Sequence, residues 1–477
     1  MSELTAARIA EWCGGALRRG DARAAFAGVT IDSRQVGAGE LFVAIAGPRH
    51  DGHDHVASAA AAGAAGAVVR RGFALPAGLP DAFCVIEADD TTRALGAIAA
   101  GHRALYCGPL VGITGSNGKT STKEMCAAIL SVRAPCLKTA GNLNNEYGLP
   151  LTLLRRKPEH ATVVVELGMN HRGEIARLAA IAKPTVGVLA NVGTAHIEHL
   201  GSREAIAEEK GDLLAALPAS GVAVANADDA LASAQADRSK ARALRFGLSA
   251  HADVRGTDVR TRPAGYAFRL RAPQGETQLE VAGLAETAVQ NALAACAGAL
   301  AAGAPLADLA PGLAAYAPVR GRLQPLALAG DLLVVDDTYN ANPQSMEVAL
   351  RALAQPRGER GPVRRIAVLG DMGELGKESE GAHRAAGALA ARLGIDLLFA
   401  VGAHAGEVAE AARAGGLPGA RVHVEADAER AAEAVLAVLL PRDRVLVKGS
   451  RSMRMERVVD RIAQAHGGRR AEAGDSH

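Results

Sequence analysis

The residues of this chain best suited to chemistry form the run Gly115-Ser116-Asn117-Gly118-Lys119-Thr120-Ser121, between an apolar stretch and a helix-like segment. Its two glycines allow successive backbone N–H groups to turn toward one anion, and the positive end of the following helix strengthens that field. Lys119 would reach the outer phosphates of a nucleotide, and the Thr120 hydroxyl would hold Mg²⁺. The run therefore predicts a phosphate-binding loop, shorter than the usual G-x-x-x-x-G-K-[ST] pattern.

Two further candidates stand where strand-like runs end. Glu166 closes the apolar run 163–165, and His196 follows the run 189–193. Ligands of open parallel sheets collect beyond the carboxyl ends of the strands, so Glu166 could approach a metal held at the loop. On these observations alone, a glutamate at a strand end is more often a solvated turn residue, and a lone histidine is more often structural.

Lys210 and a group of asparagines are less distinctive. Lys210 lies in the run Glu208-Glu209-Lys210-Gly211-Asp212, which by itself is typical of an exposed helical face. The asparagines belong to a polar loop that precedes the apolar run 149–154, and they could serve only as turn residues. They are Asn142, Asn144 and Asn145.

The elements that must position these residues alternate between strand-like and helix-like segments, which predicts an α/β fold with doubly wound parallel sheets. Residues 1–105 read as a small α/β unit. Residues 106–318 contain the loop and near-continuous apolar strands, with an antiparallel appendage at 253–281. Residues 319–477 repeat the strand and helix alternation without G-x-G-x-x-G, which argues against a dinucleotide site there.

Composition narrows the class of protein. The net charge is +2, the basic residues are scattered, and there are only five Tyr, seven Phe and one Trp, so we expect no nucleic-acid partner. Six cysteines without a C-x-x-C pair predict neither a zinc knuckle nor a disulfide framework. No export signal or membrane-spanning window is evident. We therefore expect a cytoplasmic protein without membrane insertion.

Read together, the motifs resemble those of the Mur ligase family of ATP-dependent amide-forming enzymes. The resemblance extends from Asp32 to Ser452 and includes four long signatures. These are Gly141-Asn142-Leu143-Asn144-Asn145, Asp337-Thr338-Tyr339-Asn340-Ala341-Asn342-Pro343, Leu369-Gly370-Asp371-Met372-Gly373-Glu374-Leu375-Gly376 and Lys448-Gly449-Ser450-Arg451-Ser452. Within the family they look like the members that join D-alanyl-D-alanine to UDP-N-acetylmuramoyl-tripeptide.

This resemblance implies three domains and two substrates besides ATP. A small N-terminal α/β domain would bind the UDP-linked tripeptide, a central phosphate-loop domain would bind ATP, and a C-terminal Rossmann-like domain would bind the incoming dipeptide. The tripeptide carboxylate would attack the γ-phosphate of ATP, and the dipeptide amine would then displace phosphate from the acyl phosphate. We expect the enzyme to be a monomer.

The resemblance also assigns catalytic and metal-binding residues. Two Mg²⁺ ions would neutralise the repulsion between carboxylate and triphosphate. Thr120 and Glu166 would hold one ion, and His196 the other. Lys210 matches the family lysine that reacts with CO₂ to form a carbamate beside the second ion. Lys119 would act on the transferred phosphoryl group.

Further residues match nucleotide and substrate sites. Asn291, Arg322 and Asp337 would contact ATP, although Thr287-Ala288 stands where His-Asn is common, which puts adenine recognition in doubt. Ser33 and Arg34 resemble the site for the UDP end, and without the resemblance they would read as a polar surface turn. The remaining substrate-binding candidates are Asn142, Asn144, Asn145, Tyr339, Asn340, Asn342, Lys448, Ser450 and Arg451.

Four alternatives remain beside this hypothesis. A sister ligase that adds the third amino acid and a folate-polyglutamate synthase share the fold, but the 337–343 signature speaks against both. A GTPase-like switch lacks support because the chain has no Asn-Lys-x-Asp signature. An inactive scaffold would have lost metal or phosphate residues, which are present. The sequence leaves open whether the tripeptide ends in diaminopimelate or lysine.

Overall fold

The computed structural model describes residues 3–48, 50–356 and 362–467. Its strands form three sheets of five, nine and six strands, which follow one another along the chain. The α/β class with three successive units is thereby confirmed. Within the described residues, no helix is both long and apolar enough to cross a membrane.

The first unit has strand order β1-β5-β4-β3-β2, in which only β1 runs antiparallel to its neighbour. Its elements are β1 (Ala16–Arg19), β2 (Val29–Thr30), β3 (Leu41–Val43), β4 (Gly66–Arg70), β5 (Cys84–Ala88), α1 (Ala6–Trp12), α2 (Val56–Ala61) and α3 (Thr91–Ala104). Helix α3 begins at Asp90, whose carboxylate accepts hydrogen bonds from the N–H groups of Thr92 and Arg93.

The central unit is a nine-stranded sheet of order β14-β13-β12-β11-β10-β9-β6-β8-β7. Its strands are β6 (Leu110–Thr114), β7 (Cys136–Lys138), β8 (Thr162–Glu166), β9 (Val186–Leu189), β10 (Val222–Asn226), β11 (Arg242–Gly247), β12 (Val254–Arg262), β13 (Gly265–Ala272) and β14 (Gly275–Ala282). Its helices are α4 (Lys119–Leu130), α5 (Gly148–Leu154), α6 (Glu174–Ala182), α7 (Ile197–Leu200), α8 (Arg203–Ala215), α9 (Ala230–Gln235), α10 (Thr287–Ala301) and α11 (Leu309–Ala314).

Both faces of the central sheet are covered by helices, which explains its continuous apolar strands. Strand β6 sends Leu110 into one hydrophobic core and Val111 and Ile113 into the other. Strands β7 to β12 are parallel, whereas β12, β13 and β14 pair antiparallel. The predicted antiparallel appendage is therefore confirmed.

The third unit has order β15-β16-β20-β17-β18-β19, with only β15 antiparallel. Its elements are β15 (Gln324–Leu328), β16 (Leu332–Asp337), β17 (Arg365–Gly370), β18 (Leu397–Val401), β19 (Val422–Glu425), β20 (Arg444–Lys448), α12 (Pro343–Ala354), α13 (Ser379–Arg392), α14 (Ala405–Ala414), α15 (Ala428–Val438) and α16 (Glu456–Ala465). The five parallel strands follow the strand and helix alternation expected for residues 319–477, and β15 is an additional edge strand.

Helix α3 joins the first unit to the central one through buried polar contacts. It packs against α5 and α6. The Arg103 guanidinium donates to the carbonyls of Ala182 at 2.8 Å and Lys183 at 2.9 Å, and His102 Nδ1 lies 3.2 Å from Leu153 O. These contacts attach the first unit to the central unit.

Candidate active site between the central and third units

A cavity of about 1300 Å³ lies where the carboxyl ends of the central strands face those of the third sheet. Residues of α3 also reach it, so all three units contribute to its wall. The predicted site residues that line it are Ser116, Asn117, Gly118, Lys119, Ser121, Asn142, Asn144, Asn145, Glu166, His196, Asn291, Arg322, Asp337, Tyr339, Asn340, Asn342 and Lys448. The structure thus brings together most of the residues that the sequence placed far apart.

The phosphate loop connects β6 to α4 in the predicted way. Gly118 has φ of +77° and immediately precedes the first turn of α4. A Cβ at this position would lie 2.2 Å from Asn291 Oδ1, so only glycine fits between the loop and α10. Lys119 is buried, which lowers the pKa of its ammonium. Glu166 opposes this shift, and Arg322 adds to it.

Asn191, which the sequence did not single out, fixes the shape of the loop. Its side-chain oxygen accepts from Asn117 N at 2.9 Å, and its amide donates to Asn117 O at 2.9 Å. The neighbouring Gly193 N donates to Ser116 Oγ at 2.7 Å. Strand β9 and the segment after it therefore hold the phosphate loop from one side. The sequence signal that could have identified Asn191 is its position as a polar residue two places beyond a predicted strand.

Thr120 and Glu166 meet below the loop. The Thr120 hydroxyl donates to Glu166 Oε2 at 2.9 Å, and Asn144 Nδ2 donates to Oε1 at 2.8 Å. A hydroxyl and a carboxylate side by side are oxygen ligands of the kind that Mg²⁺ prefers. Among the described residues there is no group of three or more His, Cys, Asp or Glu side chains able to hold a metal. The pair fits an ion that takes most of its ligands from phosphate and water.

Lys210 is buried in α8 beneath this pair, with 1% of its surface exposed. Burial lowers the pKa of its amine well below the ordinary value, and nearby Lys119 adds to the effect, while Glu209 and Glu166 oppose it. The Glu209 carboxylate already accepts hydrogen bonds from Gly173 N and Ile175 N at the start of α6. The exposed helical charge suggested by the local pattern is wrong, because α8 turns this face into the protein.

The third unit contributes a buried ion pair and a stacked arginine. Lys448 Nζ donates to Asp337 Oδ2 at 2.7 Å and to Asn340 O at 2.9 Å. Asp337 and Lys448 are register partners at the ends of β16 and β20. The Arg322 guanidinium lies over the Tyr339 ring, 4.1 Å from its centre, which holds the cation at the cavity wall.

Direct contacts join the third unit to the central one across the cavity. Asn342 Nδ2 donates to Asn117 Oδ1 at 2.9 Å, and Asn117 Nδ2 donates to Gln344 Oε1 at 3.3 Å. His196 Nδ1 lies 2.7 Å from Glu374 Oε2. Gln344 and Glu374 were not named among the candidates, although Glu374 stands inside the 369–376 signature. The two units are docked against each other in this structure.

Several predicted residues do not line the cavity. Gly115, Thr120 and Lys210 belong to its buried support. Arg34 instead pairs with Asp32 on the surface of the first unit, where it holds the pKa of that carboxyl at about 2, and Ser33 lies beside it. Ser450 Oγ accepts from Gly373 N at 2.7 Å, and Arg451 pairs with Glu456 at 3.0 Å.

Three family models match successive parts of the chain. They are described as Mur ligase family, catalytic domain (residues 25–103), Mur ligase middle domain (113–299) and Mur ligase, glutamate ligase domain (321–451). The UDP-N-acetylmuramoyl-tripeptide--D-alanyl-D-alanine ligase of Escherichia coli K12 is 39% identical, over 92% of this chain and 94% of its own length. The chain belongs to the Mur ligase family.

Solved structures of other Mur ligases resemble this one over nearly the whole chain. A crystal structure of MurF from Acinetobacter baumannii has a TM-score of 0.86 and 33% identity, covering 96% of this chain and 98% of the other. MurF ligase from Thermotoga maritima in complex with ADP has a TM-score of 0.77 and 29% identity, covering 91% and 96%. The likeness spans all three units of this Mur ligase.

Proposed function

We propose that this Mur ligase joins D-alanyl-D-alanine to UDP-N-acetylmuramoyl-tripeptide with consumption of ATP, the last cytoplasmic step in building the peptidoglycan pentapeptide precursor. The observation that carries the proposal is the cavity lined together by the phosphate loop, by residues of the 337–343 signature and by Lys448. Relatives of that name match almost the full length of the chain. We assign residues 1–105, 106–318 and 319–477 to the UDP-substrate, ATP and dipeptide domains.

The residues of the cavity suit a transfer between two anions. The attacking carboxylate and the γ-phosphate repel each other, so cations must neutralise and align them. Lys119 of the central unit and Arg322 of the third unit both supply positive charge to the cavity. The docked third unit would exclude water from the acyl phosphate, which otherwise hydrolyses.

We assign two Mg²⁺ ions to the support of this transfer. Thr120 and Glu166 would hold one, and His196 would take part in holding the other. When bound, these ions would offset the charge of the triphosphate and the incoming carboxylate. Because Mg²⁺ prefers oxygen, the site at His196 needs an additional anionic ligand.

Lys210 would supply that anion as a carbamate. A neutral amine attacks CO₂, forms an N–C bond and releases one proton to solvent, which converts a would-be cation into an anion. Two observations support this role: Lys210 is buried, and among the described residues no hydrogen-bond or ion-pair partner neutralises its Nζ. Burial lowers the pKa of the Lys210 amine, which favours the uncharged form that the reaction requires.

Substrate contacts follow from the position of each group. We assign Ser33 and Arg34 to the UDP end, and Asn142, Asn144 and Asn145 to the peptide of the same substrate. Residues of the third unit would meet the dipeptide and the growing peptide. These are Tyr339, Asn340, Asn342, Lys448, Ser450 and Arg451. We also propose that the enzyme acts as a monomer.

Phosphate release from ATP tests the proposal directly. Purified enzyme is given UDP-linked tripeptide ending in diaminopimelate or lysine, with and without D-alanyl-D-alanine. We expect sustained release only when both substrates are present, and the preferred tripeptide identifies the third residue. Rapid ATP hydrolysis without any UDP-muramoyl substrate, or turnover with a single amino acid in place of the dipeptide, would overturn it.

A further inference from the structure

The contact between His196 and Glu374 has an unusual backbone on both sides. His196 has φ of +65° and Glu374 has φ of +60°, although neither is glycine. Such conformations cost free energy for residues with a Cβ, and they persist where the surroundings impose them. Two such residues, one from the central unit and one from the third, meet at 2.7 Å.

The loop that carries Glu374 is held at each of the three preceding residues. The Asp371 carboxylate accepts from the N–H groups that open α14, Met372 N donates to His383 Nε2 at 2.9 Å, and Gly373 N donates to Ser450 Oγ at 2.7 Å. These anchors come from three different parts of the third unit. The loop can therefore keep a strained residue pointed across the cavity.

The His196 side is anchored as well. Val192 N donates to Asp229 Oδ2 at 2.7 Å, and Arg203 donates to Val192 O at 2.9 Å, so the segment that leads to His196 is fixed in the central unit. The Nδ1 atom of His196 is buried, and the Glu374 oxygen lies close to it but off the direction of a linear hydrogen bond. With Nδ1 facing a carboxylate, the ring nitrogen left for another ligand is Nε2.

We propose that Glu374 is a positioning residue that holds the His196 ring, and that it does so from the third unit. A carboxylate at one ring nitrogen favours the proton on that nitrogen and leaves the other with its lone pair. His196 would thus be prepared as a ligand only when the third unit is docked. This inference rests on the proposed role of His196 in holding Mg²⁺.

The first measurement is made on metal-free protein, so it does not depend on turnover. Nitrogen NMR of ¹⁵N-histidine-labelled enzyme reports which nitrogen of His196 carries the proton, with His196→Ala used to assign the signal. We expect protonated Nδ1 in the wild type and a mixture of tautomers in Glu374→Gly. Identical His196 signals in wild type and Glu374→Gly would overturn the inference.

The second measurement separates positioning from mere packing. Glycine tolerates positive φ, so Glu374→Gly should raise the unfolding midpoint while lowering kcat by about 10- to 100-fold, as for partners that orient metal ligands. Lys183→Gly is the matched control, because Lys183 has φ of +43°, ends α6 and lies outside the cavity. It should raise the midpoint and leave kcat unchanged.

Wild-type kcat in Glu374→Gly would contradict the positioning role. Failure of the proposed metal-binding role of His196 has a different signature, since it would appear as normal activity in His196→Ala regardless of the tautomer result, and failure of the ligase function would appear as no ligation by the wild type. A glutamine at position 374 keeps an acceptor oxygen that can face Nδ1, so Glu374→Gln should keep more activity than Glu374→Gly. Equal loss in both variants would also count against the inference.

Discussion

Two buried lysines, one at the end of the third sheet and one in α8, differ in what surrounds them. Lys448 and Lys210 are each 1% exposed. Lys448 has a carboxylate and a carbonyl within hydrogen-bond distance, whereas Lys210 has neither among the described residues. The ammonium of Lys448 pairs with a carboxylate on a neighbouring strand, whereas the unpaired amine of Lys210 is the group on which the proposed carbamate depends. The same degree of burial therefore occurs with two different environments.

The largest expected effect is on the stability of the third unit. Lys448→Met should lower its free energy of unfolding by about 3–5 kcal/mol, because it removes the buried cation that pairs with the Asp337 carboxylate and leaves that charge with the Leu323 N–H at 3.0 Å. Equilibrium urea unfolding measures the change. Lys210→Met, with the same substitution at the same burial, is the control and should remain within about 1 kcal/mol of the wild type. Equal losses of unfolding free energy in the two variants would contradict the distinction between a paired and an unpaired buried lysine.

The second-largest expected effect is on activity, and here the Lys210 variant is the one affected. Lys210→Met should reduce kcat by about 10²-fold or more, in line with the loss of a preorganised charged group. Added acetate should restore part of the rate by occupying the vacated anion position. Wild-type enzyme stripped of CO₂ should lose rate and regain it with bicarbonate. Ordinary kinetics of the variant at limiting Mg²⁺ would eliminate the carbamate.

The smallest expected effect concerns Asp32–Arg34, a surface ion pair that contrasts with the buried Asp337–Lys448 pair. Arg34→Gln should leave the unfolding midpoint at pH 7 unchanged, because the Asp32–Arg34 pair is exposed and screened. Since Arg34 lowers the Asp32 pKa from 3.8 to about 2, any stabilisation is complete above pH 3.8 and lost as the pH falls toward 2. KM for the UDP-linked substrate should rise. An unchanged KM would remove Arg34 from the UDP site.

The parts of the site that the sequence predicted are those defined by local pattern. The phosphate loop needs only its own residues and the adjacent strand and helix, and Glu166 is located by the end of an apolar run. Asn342 illustrates an overlooked local signal. Its side chain accepts from Ser345 N and caps α12, a role that the spacing of Asn342 and Ser345 already permits.

The remaining parts of the site and of the fold depend on packing between segments that are distant in the chain, and a single sequence does not reveal that packing. The burial of Lys210 follows from how α8 lies against the sheet, and its local charge run indicated the opposite. Asn191, Gln344 and Glu374 acquire their contacts from residues far along the chain. Strand β15 was missed because it is a short antiparallel edge with little periodic signal.

The attachment of α3 has a practical consequence for protein engineering. Chimaeric ligases are commonly cut at linkers, and residue 105 offers an obvious junction by sequence. A cut there would separate Arg103 from the carbonyls of Ala182 and Lys183, and would expose the faces of α5 and α6 that α3 covers. Exchange of substrate recognition between relatives should therefore transplant the first and central units as one piece, with the junction placed before β15.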